Sequence, residues 1–238
     1  METNLAYAGG GTNTYGDTLP PFTQGTGANI ASGQACYGDG ATMAANPTAM
    51  CYWIPLNANP TSGSTDPSGA TDGGVGVDNA TIDARPASTR AQFGYLYSWC
   101  TAMAGQSAAC QTTAATQPNQ SVNGGSGAGA TGTTIYNICP SGWRLPTGDT
   151  VGELTLLNNT LNGGSTSSPS GLFANGLYMY AGLLYSGLFF NQGSYGYYWS
   201  STVSTTTLAF RLYFSSSNVA PATTTDKGGG NSVRCVAP

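Results

Sequence analysis

The residues of this chain with the most defined chemistry are its six cysteines. Two of them lie in longer phrases that bracket the second half of the chain, Ile138 to Thr147 (ICPSGWRLPT) and Asn231 to Val236 (NSVRCV). An even number of cysteines in a chain of this kind is typical of disulfide bonds formed in an oxidising compartment. The sequence therefore predicts a disulfide-closed scaffold with an extracellular or cell-surface location.

Catalytic chemistry has little support in the sequence. The chain contains no histidine, which is the side chain most often used as an acid–base catalyst or zinc ligand near neutral pH. Asp149 and Glu153 could form a carboxylate pair, but at the start of a helix they more simply complement the helix dipole. The aspartates from Asp66 to Asp83 lack the spacing of a calcium-binding loop. We therefore predict that the protein is not an enzyme and has no metal site and no cofactor.

The composition narrows the choice of partner. Charged residues make up 7% of the chain, against about 25% in an ordinary globular protein. The net charge of −4 provides no positive field for phosphates, so we expect no binding to nucleic acid. Aromatic residues make up 11% of the chain, which argues for a folded protein rather than a disordered one. The partner is expected to be an unidentified protein or other cell-surface ligand.

Membrane insertion is not predicted, because no apolar run reaches the ~18 to 20 residues of a membrane span. The segment Met1 to Thr3 has neither the basic start nor the apolar core of a signal peptide. Since the cysteines indicate an oxidising compartment, we expect that an N-terminal signal or anchor has been removed upstream of Met1.

The predicted helices and strands begin well inside the chain. From Asn4 to about Ser88, recurring Gly, Pro, Asn and Asp favour loops with brief strands. The stretch Phe93 to Trp99 fits a strand or turn that runs into a short helix ending by Gly105. The stretch Thr150 to Leu161 has a Thr-x-x-Glu capping box, leucines on one face and a double-glycine stop, which predict a helix.

Short β-like runs follow this helix, at Leu177 to Tyr180, Leu183 to Phe190, Tyr197 to Ser201, Leu208 to Phe214 and Ser232 to Val236. One or two helices followed by strands predict an α+β fold with mixed short-strand sheets and long irregular insertions. We expect one domain over 1–238, with a loop-rich part at 1–88, helices and core strands at 89–192 and a C-terminal part at 193–238.

Several of these phrases together resemble a known family, the major paralogous domain first described in Fibrobacter succinogenes. The phrases that carry the resemblance are Met1 to Tyr7 (METNLAY), Gly94 to Trp99 (GYLYSW), Cys139 to Thr147, Tyr198 to Thr202 (YWSST), Leu212-x-Phe214 and Ser232 to Val236. They are ordered along nearly the whole chain, with long departures at about 8–35, 56–88 and 111–134.

The resemblance implies a C-type lectin-like fold, whose termini meet in a sheet and whose second half displays a strand-and-loop surface. Variable proteins of diversity-generating retroelements share this wider fold, and adenine-templated mutagenesis rewrites selected codons near their C-termini. The rewritten positions favour Asn, Tyr, Ser, Thr, Asp, Ala, Gly and Phe. Because 193–231 has this texture, we expect 193–238 to be a variable ligand-display region.

Strand alternation and the family's Leu-x-Phe core place Leu212 and Phe214 inward. Arg211 and Tyr213 are then expected to point outward, and Phe210 is a weaker candidate because it shares the inward parity. Loops or strand ends are expected at 204–207, 215–218 and 223–226. The candidate binding residues are Tyr195, Tyr197, Ser204, Thr206, Phe210, Arg211, Tyr213, Ser215, Ser217, Thr223, Thr225 and Asn231.

The cysteines are most economically assigned to three disulfides. Cys139 with Cys235 closes a loop of roughly 100 residues, which in the chain-entropy model contributes about 4.7 kcal/mol. Local pairs are expected between Cys36 and Cys51 and between Cys100 and Cys110. Re-pairing among these last four cysteines stays open.

Two other functions stay open beside a receptor- or adhesin-type binding domain. One is a structural or appendage protein whose Ser-, Thr- and Gly-rich surface resists degradation. The other is a calcium-independent carbohydrate-binding lectin. Calcium-dependent sugar binding is not favoured, because Gln117 to Asn119 resembles the calcium-binding phrase of C-type lectins but lacks its acidic residue.

Overall fold

The structure describes residues 23–24, 36–38, 50–53, 94–103, 137–139, 143–173, 178, 180–191, 194–205 and 207–237. In this computed structural model the strands of those ranges are β1 (Thr23–Gln24), β2 (Cys51–Trp53), β3 (Leu96–Tyr97), β4 (Leu183–Tyr185), β5 (Leu188–Phe190), β6 (Tyr195–Val203), β7 (Leu208–Ser215), β8 (Asn218–Asp226) and β9 (Asn231–Ser232). The helices there are α1 (Trp99–Ala102), α2 (Glu153–Asn162) and α3 (Ser170–Phe173). The predicted α+β class is confirmed, and strands outweigh helices.

Seven of the strands form one mixed sheet in the order β1-β2-β3-β9-β6-β7-β8. The pairs β1–β2 and β9–β6 are parallel, and the other neighbours are antiparallel. The hairpin of β4 and β5 joins this sheet through a bridge between Leu184 and Gly230. Since β9 lies between β3 and β6, the last strand of the chain connects its early part to its late part.

The larger of two apolar clusters surrounds Trp53, Trp99 and Trp199, which are all fully buried. Trp99 and Trp199 also tie distant strands together. The Trp199 indole donates a hydrogen bond to the Tyr97 carbonyl of β3 at 2.6 Å, across the intervening β9. In return, the Trp99 indole at the start of α1 donates to the Ser200 carbonyl of β6 at 2.8 Å.

The smaller cluster lies on the opposite side of β7. It buries Leu212 and Phe214 completely, as the alternation predicted, together with Leu154 of α2. The other two leucines on the predicted helix face, Leu157 and Leu161, are partly buried against it. The chain approaches this cluster so closely at Gly196 that a Cβ there would lie 2.1 Å from the Phe214 ring.

The sequence WSST in β6 forms a bulge with a structural task. Pairing with β7 shifts between Trp199 and Val203, where the hydroxyl residues 200–202 are buried. Ser201 donates through both its N–H and its hydroxyl to the Pro146 carbonyl, at 2.9 and 3.2 Å. Thr202 Oγ1 accepts from the Gly148 N–H at 2.9 Å. These bonds attach the loop that precedes α2 to the middle of the sheet.

The helix α2 begins three residues later than predicted, and the predicted capping box at Thr150 is wrong. Gly152 is the N-cap residue and Thr150 is exposed. Thr147, on the other side of the loop, makes the capping bonds that were expected of Thr150. Its Oγ1 accepts from the Glu153 N–H at 2.7 Å, and its N–H donates to Glu153 Oε2 at 2.9 Å. Glu153 also forms a two-pronged ion pair with Arg144. The predicted stop is confirmed, since Gly163 ends the helix in the left-handed conformation.

Two of the expected disulfides are present, Cys36–Cys51 and Cys139–Cys235. Cys100 is disulfide-bonded as well, while Cys110 lies outside the described residues. The predicted strand-to-helix segment before Gly105 is confirmed, with Ser98 as the N-cap of α1.

The strand prediction at Leu177 to Tyr180 was wrong. Tyr178 and Tyr180 lie outside any strand, and their rings pack on Phe214 instead. The expected loops or strand ends are confirmed at 215–218, which contain the ends of β7 and β8 and the turn that joins them, and at 223–226, which are the last residues of the long strand β8. β8 contains Pro221, which has no backbone N–H to donate. The proline is tolerated because β8 is the terminal strand of the sheet order and needs fewer backbone donors than a central strand. Val219 is the one buried residue of β8.

The anchoring of α2 predicts a pH-dependent stability. Burial alone would raise the pKa of Glu153, but the hydrogen bonds from Arg144 and Thr147 outweigh it and lower the pKa. The stabilisation is therefore complete above the unfolded pKa of about 4.3 and is lost as the pH falls through the lower folded pKa. Glu153→Gln should lower the free energy of unfolding at neutral pH by about 1 kcal/mol, because the group is partly exposed.

Urea unfolding of wild type and Glu153→Gln across pH 2 to 7 is the measurement, and the two curves should converge at acid pH. The control is Asp149→Asn, which removes a carboxylate of the same loop that accepts only from the exposed Val151 N–H. A Glu153→Gln deficit that stays constant across the pH range would contradict the role of the ionised carboxylate.

Candidate functional site

The outer part of β6, β7 and β8 brings several of the candidate binding residues together. Tyr197 of β6 lies opposite Tyr213 of β7, and Arg211 lies opposite Thr223 of β8. Directly paired residues share one side of a sheet, and this side is opposite to Leu212 and Phe214. We call Tyr195, Tyr197, Arg211, Tyr213 and Thr223 the tyrosine face.

The three tyrosine rings of this face pack on one another. The rings of Tyr195 and Tyr213 are stacked with centroids 5.7 Å apart and an angle of 19° between their planes. Tyr195 and Tyr197 are also stacked, at 6.1 Å and 14°, and Tyr197 and Tyr213 are tilted at 5.4 Å. Tyr195 is therefore the ring that stacks with both of the others.

Exposure increases along the tyrosine face. Trp199 and Ala209, on the same side as Arg211, belong to the large core. Tyr197 comes next and is only 4% exposed, whereas Tyr195 and Tyr213 are half-buried. The face is thus a continuation of the core into solvent.

Tyr197 is held by polar partners as well as by its neighbours. Asn191 Nδ2 donates to the Tyr197 hydroxyl at 2.9 Å, and the Arg211 guanidinium lies 4.6 Å from the centre of the Tyr197 ring. Burial raises the pKa of the Tyr197 phenol, and the Asn191 bond and the Arg211 charge act against that rise. Tyr197 is consequently a support of the face rather than an exposed contact.

Arg211 is the cation of the tyrosine face, and it is half-buried. Its Nη1 donates to Asn231 Oδ1 at 3.1 Å. Its Nε and the Nδ2 of Asn231 are both buried without a hydrogen-bond partner. Burial lowers the pKa of Arg211 to about 10, so the guanidinium stays charged at neutral pH.

The candidate residues divide by exposure. Exposed positions are Ser204 and Ser217; half-buried positions are Tyr195, Phe210, Arg211, Tyr213, Thr223 and Thr225; buried positions are Tyr197, Ser215 and Asn231. Thr206 lies outside the described residues. The expected outward parity of Arg211 and Tyr213 is confirmed. The candidate Tyr197 shares their side of the sheet but is buried, because Asn191 bonds its hydroxyl and Arg211 lies over its ring.

The candidates do not all converge on one place. Ser204 lies in the turn after β6, and Tyr195 lies at the start of that strand, so they are roughly 25 to 30 Å apart along the chain direction. Ser217 lies at the Tyr195 end, in the turn between β7 and β8. Phe210 sits against Gly148, where an added Cβ would meet the Phe210 Cβ at 2.5 Å, so it does not join the tyrosine face.

Sequence reasoning missed three residues near the face. Asn191 has a positive φ of 57° in the segment before β6. No local sequence pattern predicts its hydrogen bond to Tyr197. Asn218 and Ala220 lie opposite Ser215 and Tyr213 on β8. Strand alternation would have found both, had β8 been recognised as a strand.

Comparisons of this chain with protein-family models, curated proteins and solved structures found no match. Within the ranges that the structure covers, no group of three or more His, Cys, Asp or Glu side chains is arranged to hold a metal ion. Among the helices of those same ranges, none is both long and apolar enough to cross a membrane.

The exposure gradient predicts unequal roles for the tyrosines. Tyr197→Ala should lower the free energy of unfolding by about 3 kcal/mol, since it removes a buried ring. Tyr213→Ala should cost about 1 kcal/mol, because it removes ring stacking from a half-buried position. Chemical denaturation of both variants and of Ser204→Ala as an exposed control makes the comparison. Equal losses at Tyr197 and Tyr213 would show that the tyrosines do not differ in this way.

Proposed function

We propose that this protein is an extracellular ligand-binding domain of receptor or adhesin type, and that its binding surface is centred on the tyrosine face. The observation that carries the proposal is the division of β6 to β8 between two tasks. Trp199, Leu212 and Phe214 are completely buried and fix the strands. Beyond them the same strands present tyrosines, an arginine and hydroxyl residues to solvent.

The chemistry of this surface suits recognition. Tyrosine provides a large contact area and a hydroxyl at a small entropic cost, and Ser, Thr and Asn add adaptable hydrogen bonds, as in antibody binding loops. Tyr and Arg are also the residue types most enriched among interface hot spots. The hydroxyls of Tyr195 and Tyr213 make no hydrogen bond to any described residue, so a ligand can use them.

We also propose that the chain has a C-type lectin-like fold and is related to the Fibrobacter paralogous domain. The buried residues of the family-like phrases support this proposal. The family-like phrases have structural tasks: YWSST forms the bulge that holds the loop before α2, and Cys139 in the first bracketing phrase bonds Cys235 in the last. Disulfide bonds are typical of oxidising compartments, which is consistent with an extracellular location.

We further propose that the protein is the variable protein of a diversity-generating retroelement. Such a protein needs positions that can change without loss of the fold. Surface substitutions away from core features usually alter stability by less than about 0.5 kcal/mol, and Ser204, Ser217 and Asn218 are exposed positions of the residue types that adenine mutagenesis favours. Tyr197, Ser215 and Asn231 share those types but are buried, so they should be constant.

The genetic test is specific to positions. An adenine-rich near-copy of the coding segment for residues 193–238 should lie beside a reverse transcriptase gene. Its adenine mismatches should fall on codons for Tyr195, Tyr213, Ser217, Asn218 and Thr223. Codons for Trp199, Leu212 and Phe214 should match the copy, as should those of the buried Tyr197, Ser215 and Asn231. The absence of a near-copy would reject diversification, and mismatches spread evenly over buried and exposed codons would reject this assignment of the surface.

A further inference from the structure

Within the described part of the chain, no carboxylate forms an ion pair with the Arg211 guanidinium. Asp226 acts on its charge electrostatically, but the Asp226 carboxylate accepts a hydrogen bond from the Tyr185 hydroxyl instead. Arg211 is half-buried, and buried charges are normally paired.

The hydrogen bonding around Arg211 is also incomplete. Among the described residues, the one partner of the guanidinium is the side-chain oxygen Oδ1 of Asn231, which accepts from Nη1. The buried Nε of Arg211 and Nδ2 of Asn231 are donors without acceptors, although most buried polar groups in proteins are satisfied. Nη2 makes no hydrogen bond to a described residue. The Arg211 guanidinium therefore has an Nη2 donor and a positive charge for which no described residue supplies an acceptor.

The aromatic groups around the guanidinium favour the same kind of ligand. An aromatic ring is negative on its faces and positive at its edge. The edges and the unpartnered hydroxyls of Tyr195 and Tyr213 both attract an anion. Tyr213 lies two residues from Arg211 on the same side of β7.

We propose that the tyrosine face binds a carboxylate on the surface of a partner protein, an Asp or Glu side chain, with Arg211 as the group that receives it. This rests on the proposed binding function and names the chemistry of its ligand. Nη2 of Arg211 donates to one carboxylate oxygen, and the hydroxyl of Tyr213 donates to the carboxylate as well. Asn231 accepts a hydrogen bond from the guanidinium, and the guanidinium lies over the Tyr197 ring.

A protein carboxylate fits this face better than an acidic sugar. The stacking of Tyr195 with both Tyr197 and Tyr213 reduces the aromatic face on which a sugar ring could pack. Tyrosine and arginine beside small hydroxyl residues are typical of protein-binding surfaces.

The experiment selects ligands without assuming their identity. A displayed library of random 12-residue peptides is panned on the disulfide-bonded protein, and the recovered peptides are synthesised with blocked termini. Their affinities are measured for wild type, Arg211→Gln, Arg211→Lys and Tyr213→Ala. Arg144→Gln is the matched charge control, since it removes the same charge from the ion pair with Glu153. Near-UV circular dichroism verifies that each variant is folded.

The expected peptides share an Asp or Glu, and changing that residue to its amide weakens binding to wild type at least about tenfold. Arg211→Gln produces a loss of the same size, the amide peptide loses nothing further on that variant, and Arg144→Gln has little effect. The acid-to-amide comparison uses only the wild-type protein, so it decides the proposal even if Arg211→Gln is unfolded. Arg211→Lys should retain part of the affinity and show the same dependence on the acid.

Other outcomes separate this inference from the binding function on which it rests. Peptides that lose affinity on Tyr213→Ala but bind equally as acid and amide would overturn the carboxylate while the binding face stands. A glucuronate-containing tetrasaccharide that binds more tightly than every peptide, in an Arg211-dependent way, would overturn the protein partner. Recovery of no peptide sensitive to Tyr213→Ala or Arg211→Gln would count against both the inference and the proposed face.

Discussion

The arrangement of this protein depends on two tryptophans that exchange hydrogen bonds between distant parts of the chain. The Trp199 indole of β6 bonds the Tyr97 carbonyl, and the Trp99 indole bonds the Ser200 carbonyl. Both rings are completely buried, where an indole N–H without an acceptor would be costly. The Ser200 carbonyl lies within the β6 bulge, so the Trp99 indole bond holds the bulge in place. Lys227 adds to it, with Nζ 4.9 Å from the Trp99 ring centre and a pKa that burial lowers to about 8.

Because β6 is fixed in this way, the strands on either side of it, β9 and β7, also have a defined orientation. The side of β7 that carries Leu212 and Phe214 packs against α2, and the Arg144–Glu153 pair and the WSST bulge hold that helix to the sheet. The other side leaves the core at Tyr197 and carries the tyrosine face. The Cys139–Cys235 bond joins the chain before α2 to the chain after β9. The tyrosine face is thereby framed on both sides by groups that stabilise the fold.

Local patterns in the sequence were sufficient for part of this picture. Alternation placed Leu212 and Phe214 inward and Arg211 and Tyr213 outward, because a strand obeys its own period of two. The start of α2 was misplaced because Thr147 caps Glu153 from across a loop, a spacing outside the usual capping box. β8 was missed because it contains Pro221 and buries only Val219. The burial of Tyr197 could not be foreseen, since it depends on Asn191 and Arg211, which only the folded sheet brings to it.

We propose that β6 to β8 separate the residues that hold the fold from those that are free to contact a ligand. Saturation substitution of 193–231 in the displayed protein, with the unfolding free energy of each variant measured by protease resistance, tests it most directly. Most substitutions at Tyr195, Tyr213, Ser217 and Thr223 should cost about 1 kcal/mol or less. Large-to-small changes at Trp199, Leu212 and Phe214 should cost about 3 kcal/mol or more. Similar losses at both sets of positions would contradict the claim.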